Sequence, residues 1–190
     1  MSLLEVGYGF GIFAKIAESQ YDYIAVDGSS SLVKLAIKNN HRVIFGFLPP
    51  IPLELNESSF DCIWLSEVLE HARDWQHAKE IIALAHSKLV YGGALTIISP
   101  DISSWKWEFW GEDWTHCFQT TVRRVEQLLR EVGFKKITSV THTLTISYAP
   151  LRILINSVMF FFPWKIVDII CLNIFGRSFG RSFMTLMGFR

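Results

Sequence analysis

Between Leu3 and about Ser147, short β-type apolar runs alternate with segments of helical period. That alternation constrains the fold more than any other feature, because strands joined by helices run parallel in a sheet whose two faces those helices cover. The runs predict strands at Leu3–Val6, Tyr23–Asp27, Arg42–Phe47, Phe60–Ser66, Ala94–Ser99 and Lys136–Thr145. Three helix faces are expected between them: Ile12, Phe13, Ile16 and Ala17; Leu32, Val33, Ala36 and Ile37; and Ile81, Ile82, Ala85 and Leu89. Ser29 or Ser30, Asp74, and Thr120 or Thr121 suit N-caps, and Gly133 suits the end of a helix over Val122–Val132.

After about Pro150 the pattern changes to Leu151, Leu154, Ile155, Val158, Met159 and Phe162 at helical spacing. Pro163 breaks the run, and apolar residues resume from Ile166 to Phe175. This predicts an apolar helical hairpin over 148–180, inserted between a βα core over 1–147 and a last strand within 181–190. Half of the 190 residues are hydrophobic, enough for one domain over 1–190 to bury a core without metal or disulfide staples. Around Phe160–Trp164 the uncharged stretch is shorter than the roughly 20 residues of a spanning helix. The hairpin is therefore read as core, as a lid, or as a peripheral membrane contact through 150–181.

Eighteen basic residues balance eighteen acidic ones, so no overall field draws the chain to a polyanion, and a nucleic-acid partner is not expected. The three cysteines, Cys62, Cys117 and Cys171, are scattered, odd in number and without C-x-x-C spacing, which argues against a disulfide framework and suits a reducing cytoplasm. Cys117 reads as a packed thiol rather than a nucleophile. No metal is expected: His71 and His77 are six apart and so lie off a shared helix face, and no Cys/His cluster has zinc spacing.

The first strand runs into Gly7-x-Gly9-x-Gly11 and then a helix, a turn that can pass under a ligand and offer it backbone N–H groups. A dinucleotide fingerprint would want glycine at position 12, which is Ile12. Glu5 precedes the loop in a buried strand, where a carboxylate needs a cationic ligand or loop amides as partners. Asp27 ends the second strand, where a carboxylate can accept both hydroxyls of a ribose. The plain alternative is a tight turn beside a solvated strand end.

Leu4-Glu-Val-Gly-Tyr-Gly-Phe-Gly11, Ile24-Ala-Val-Asp-Gly-Ser29, Phe60-Asp-Cys-Ile-Trp-Leu-Ser-Glu-Val-Leu-Glu-His71 and Leu89-Val-Tyr-Gly-Gly-Ala-Leu95 follow one another in order. Over about Leu3 to Pro100 this series resembles the class I S-adenosylmethionine-dependent methyltransferases. The resemblance implies a doubly wound, Rossmann-like, mostly parallel seven-stranded sheet with its last strand antiparallel. It implies that Glu5, Gly7, Tyr8, Gly9 and Gly11 hold the methionyl part of the donor. Asp27 and Gly28 would serve the ribose, and Phe47 and Leu48 the adenine. Ser66 and Glu67 would close over the donor, with His71 as a structural contact nearby. Two departures stand out: Gly46-Phe47-Leu48 lacks the acidic residue often found there, and no helical segment precedes the first strand. They suggest a shortened chain and keep a degenerate binding module as an alternative to an enzyme. A nicotinamide-dependent oxidoreductase is kept only because Asp27 suits it.

Ser66-Glu67-Val68-Leu69 is unlike the Asn/Asp-Pro-Pro-aromatic stretch of base-methylating members. The Asp113-x-Thr115-His116 stretch resembles that of small methyltransferases of polysaccharide, lipid and secondary-metabolite pathways. This implies O-methylation of a small or lipid-linked acceptor, such as a sugar or quinone-like precursor. His116 is the candidate general base and Asp113 its candidate orienter; the competing reading has His116 capping a helix or bonding a loop carbonyl.

Overall fold

The computed structural model describes residues 1–143 and 182–190, so the predicted hairpin lies outside the described residues. Seven strands form one sheet: β1 (Ser2–Val6), β2 (Asp22–Asp27), β3 (Val43–Phe45), β4 (Phe60–Ser66), β5 (Leu89–Pro100), β6 (Lys136–Thr143) and β7 (Ser182–Phe189). Their order is β3-β2-β1-β4-β5-β7-β6, and β7 runs antiparallel to both of its neighbours while the other pairings are parallel. The doubly wound sheet expected from the sequence is the fold, with β7 as its reversed strand.

The main helices are α1 (Ala14–Ala17), α2 (Ser30–Lys38) and α3 (Trp75–Lys88), then two short turns, α4 (Ile102–Trp105) and α5 (Glu108–Glu112), and finally α6 (Val122–Val132). The caps follow side-chain chemistry. Ser29, Asp74 and Thr121 accept from the N–H groups of Leu32, His77 and Arg124, and Gly133 closes α6 in the left-handed region at φ 119°.

Alternation along β1 builds the core on both faces. Leu4 and Val6 join a cluster with Ile63, Leu65, Ile82 and Leu129, whereas Leu3 joins Ala14, Tyr23, Val33 and Ala36. The first expected helix face needs correction. The glycine turn continues through Gly11, whose N–H donates to the Tyr8 carbonyl, so helix begins only at Ala14. Ala14 and Ala17 are buried, while Ile12 and Ile16 face solvent. Ile37 is likewise exposed, leaving Val33 and Ala36 as the buried pair of α2. Leu89, expected on a helix face, opens β5, which starts earlier than predicted, and β3 is shorter, ending at Phe45.

Candidate active site

The strand order reverses at β1, whose neighbours are β2 on one side and β4 on the other. Outside the carboxyl ends of strands at such a switch point an open α/β sheet forms its ligand crevice. Gly7–Gly11 leaves β1 there and Ser66–His71 leaves β4 there. Gly7 adopts φ 86°, and a Cβ on it would stand 2.5 Å from the Ser66 carbonyl oxygen. Only glycine lets these two exits pass each other so closely.

Asp27 ties the turns together: Gly9 N–H donates to Oδ2 at 3.1 Å and Ser29 N–H donates to Oδ1 at 2.7 Å. Each oxygen keeps lone-pair capacity for a further donor. Around Gly9 a Cβ would meet nothing within 4 Å, so the loop faces open space. The exposed Phe47 ring lies over Gly28, where a Cβ would come 2.4 Å from it. Leu48, by contrast, is a core side chain, so of the two residues expected near adenine only Phe47 offers a surface ring. A carboxylate for paired hydroxyls, an exposed ring for a flat base and an open glycine turn fit an adenosyl ligand.

Glu5 accepts a hydrogen bond from the Tyr23 hydroxyl rather than from loop amides. Burial pushes its carboxyl up to about 7; the Tyr23 bond opposes the rise and the Asp27 charge adds to it. The partner that a buried Glu5 requires is Tyr23, which no local spacing marks and which strand register brings onto the same face of the sheet. Tyr8 is buried, its hydroxyl so close to Gly11 that a Cβ there would clash, and its ring lies 5.7 Å from that of His41.

Beyond the ends of β4 and β5 lies a cavity of about 270 Å³ lined by Glu67, Glu70, His71, Trp105, Asp113 and His116, among others. Glu67 sits at φ 53°, its N–H donating to the Ile98 carbonyl of β5. The Glu70 carbonyl accepts from Cys117 and Phe118 N–H, both at 2.9 Å, fastening the segment around His116 to the exit from β4. The His71 and His116 rings thereby come within 5.1 Å.

Acceptor geometry fixes both imidazoles. His116 Nδ1 lies 2.6 Å from the Phe109 carbonyl, which can only accept, so Nδ1 carries the proton and Nε2 a lone pair. The Thr115 hydroxyl donates to Asp113 Oδ1 at 2.6 Å and therefore accepts from His71 Nδ1 at 2.8 Å, leaving Nε2 of that ring unprotonated as well. Asp113 thus orients His71 through Thr115, and the expected pairing of Asp113 with the His116 ring is replaced by the Phe109 carbonyl. The Asp113 carboxyl is held below its ordinary value, chiefly by Thr115. Burial, reinforced by His116, holds His71 below the usual imidazole range.

Glu70 is the least expected member. It is 1% exposed; Oε2 accepts from the Ser99 hydroxyl at 3.1 Å, and Oε1 has no hydrogen-bond partner among the described residues. Burial pushes its carboxyl up to about 8. It was visible in the sequence only as the residue before His71.

A family described as a methyltransferase domain matches residues 1–139. A SAM-dependent methyltransferase from Archaeoglobus fulgidus is structurally similar at TM-score 0.72 and 19% identity, over 100% of this chain and 86% of that one. The YcgJ protein of Bacillus subtilis is similar at TM-score 0.71 and 17% identity, over 100% and 91%. Phosphoethanolamine N-methyltransferase 2 of Haemonchus contortus, in complex with S-adenosyl-L-methionine, is similar at TM-score 0.66 and 16% identity, over 100% of this chain and 48% of that one. No curated protein matches the chain.

Proposed function

The chain belongs to the class I S-adenosylmethionine-dependent methyltransferases, and from that premise we propose that it methylates a hydroxyl oxygen of a small or lipid-linked acceptor of the sugar or quinone type. The observation that carries the reading is the His116 ring, held through Nδ1 on the Phe109 carbonyl with the Nε2 lone pair free beside the cavity. A hydroxyl is a poor nucleophile until it gives up its proton, and an imidazole nitrogen with its lone pair turned to the cavity is suited to take it. S-adenosylmethionine supplies the electrophile, a methyl carbon on a sulfonium.

In this reading the Gly7–Gly11 turn and Asp27 hold the donor, Phe47 covers its base, and Ser66 with Glu67 closes over it beside the acceptor cavity. Positioning supplies most of the rate in such an in-line displacement, so the link from the β4 exit to His116 is as important as the base. A peripheral membrane contact through 150–181 would suit a lipid-linked acceptor; among the described residues no helix is long and apolar enough to cross a membrane.

Acceptor panels of sugars, catechols and amines, scored by release of S-adenosylhomocysteine and by the methylated atom, test the reading. We expect an O-methyl product and a loss of about 10²-fold or more in kcat for His116→Asn. Methyl on nitrogen would replace the reading, and donor binding without turnover on any acceptor would favour a binding module.

A further inference from the structure

We propose that Glu70, His71 and His116 form a binding site for one divalent metal ion of the zinc, cobalt or manganese type, with open coordination positions facing the acceptor cavity. One candidate ligand atom from each residue lies within 4.8 Å of the others. Metal–ligand bonds of about 2.1 Å set ligand atoms roughly 3 to 4 Å apart, so side-chain adjustments of about 1 Å close the set.

Three independent details suit an ion better than a bare cavity. First, both imidazoles are held by Nδ1, one on the Phe109 carbonyl and one on the Thr115–Asp113 pair, which leaves Nε2 of each as a donor. A ligating histidine is characteristically oriented in this way, by a carbonyl or a carboxylate on its other nitrogen. Second, Glu70 Oε1 is buried and without a partner among the described residues, although an orphaned buried carboxyl oxygen is costly. A cation bound to Oε1 removes that cost. Third, Glu67 adds an exposed carboxylate to the lining of the same cavity. Two imidazoles and a carboxylate select borderline transition ions over calcium, and three protein ligands leave room for a further oxygen.

The spacing of His71 and His77 in the sequence points to no metal; the residue that completes the set is His116, brought in from a distant loop. For the reaction, and resting on the hydroxyl-acceptor reading, the ion changes the part His116 plays. His116 holds the cation, and the acceptor hydroxyl is acidified by coordination and loses its proton to water. The oxygen then forms the C–O bond as the C–S bond of the donor breaks, releasing S-adenosylhomocysteine.

The test is cobalt(II) titration of the chelator-treated full chain, followed by visible absorption and calorimetry, with zinc competition and without donor. We expect saturable uptake of one equivalent, displaced by zinc, and weakened at least tenfold by His116→Ala and by Glu70→Gln. Glu70→Gln keeps the shape of the buried side chain, and thermal melts of both variants verify folding. Unsaturable uptake, or uptake unchanged in both folded variants, overturns the metal site. Failed uptake alongside intact O-methylation overturns this inference alone. Metal uptake with methyl delivered to nitrogen leaves the site standing and overturns the hydroxyl reading alone.

Discussion

The two halves of the crevice are built by different means. On the donor side the working parts are mostly backbone: a glycine turn squeezed against Ser66, its Gly9 N–H on Asp27, and an exposed ring over Gly28. On the acceptor side they are side chains from two distant stretches of sequence, Glu70–His71 and Asp113–His116, with His116 oriented by the Phe109 carbonyl and the stretches fastened by the Glu70 carbonyl to Cys117 and Phe118. A backbone site is set by local spacing and is intolerant of added atoms. A side-chain site depends on long-range docking and tolerates change piece by piece. The contrast predicts large structural costs on one side and graded functional ones on the other.

The sharpest test is on the donor side. Gly7→Ala places a Cβ 2.5 Å from the Ser66 carbonyl oxygen at φ 86°, so backbone has to move. We expect a loss of about 3 to 4 kcal/mol in the urea unfolding free energy. Gly9→Ala meets open space at φ 56° and should cost only about 1 kcal/mol. Equal costs at the two positions would break the claim that crowding against β4, rather than glycine content, defines the loop.

Next in size is Glu5, the one buried charge at the head of that loop. Its folded carboxyl titrates at about 7 against an ordinary 4.5, so the folded state binds the proton more tightly than the unfolded chain does. The stability it contributes is therefore complete below pH 4.5, is lost as pH rises through 7, and does not return above that. The difference of roughly 2.5 pH units corresponds to about 3 kcal/mol. Glu5→Gln should become more stable relative to the parent by up to that amount between pH 4.5 and pH 7, measured by urea denaturation at fixed pH. A pH-independent difference would show that Tyr23 accommodates the charge fully.

The same contrast explains what could be read in the sequence. Alternating runs and caps such as Ser29, Asp74 and Thr121 are local chemistry, and they appear in the structure where the pattern puts them. Ile12 and Ile16 fall off the buried face because Ile12 still belongs to the glycine turn and helical phase starts only at Ala14. Tyr23 was hidden because its partnership with Glu5 is a matter of strand register. The pairing of His71 with His116, and the role of Thr115 between His71 and Asp113, was illegible for a stronger reason. It depends on Cys117 and Phe118 finding the Glu70 carbonyl, a contact between segments more than 40 residues apart that no periodicity encodes.

Thr115 offers the smallest and most specific test of that acceptor-side assembly. Its hydroxyl accepts from His71 and donates to Asp113, so it positions an imidazole without lining the cavity itself. Thr115→Val keeps the shape and removes the relay, freeing the His71 ring to rotate or change tautomer. We expect about a tenfold loss in cobalt affinity and in kcat, worth about 1.4 kcal/mol, with the melting temperature nearly unchanged because the Thr115–His71 bond lies at the protein surface. Thr115→Ser, which retains the hydroxyl, should restore both. A melting-temperature loss with metal affinity intact would make Thr115 a loop staple and leave His71 oriented by packing alone. Loss of function without loss of stability, rescued by serine, would show that the acceptor side is tuned one hydrogen bond at a time, unlike a donor loop that a single methyl group disrupts.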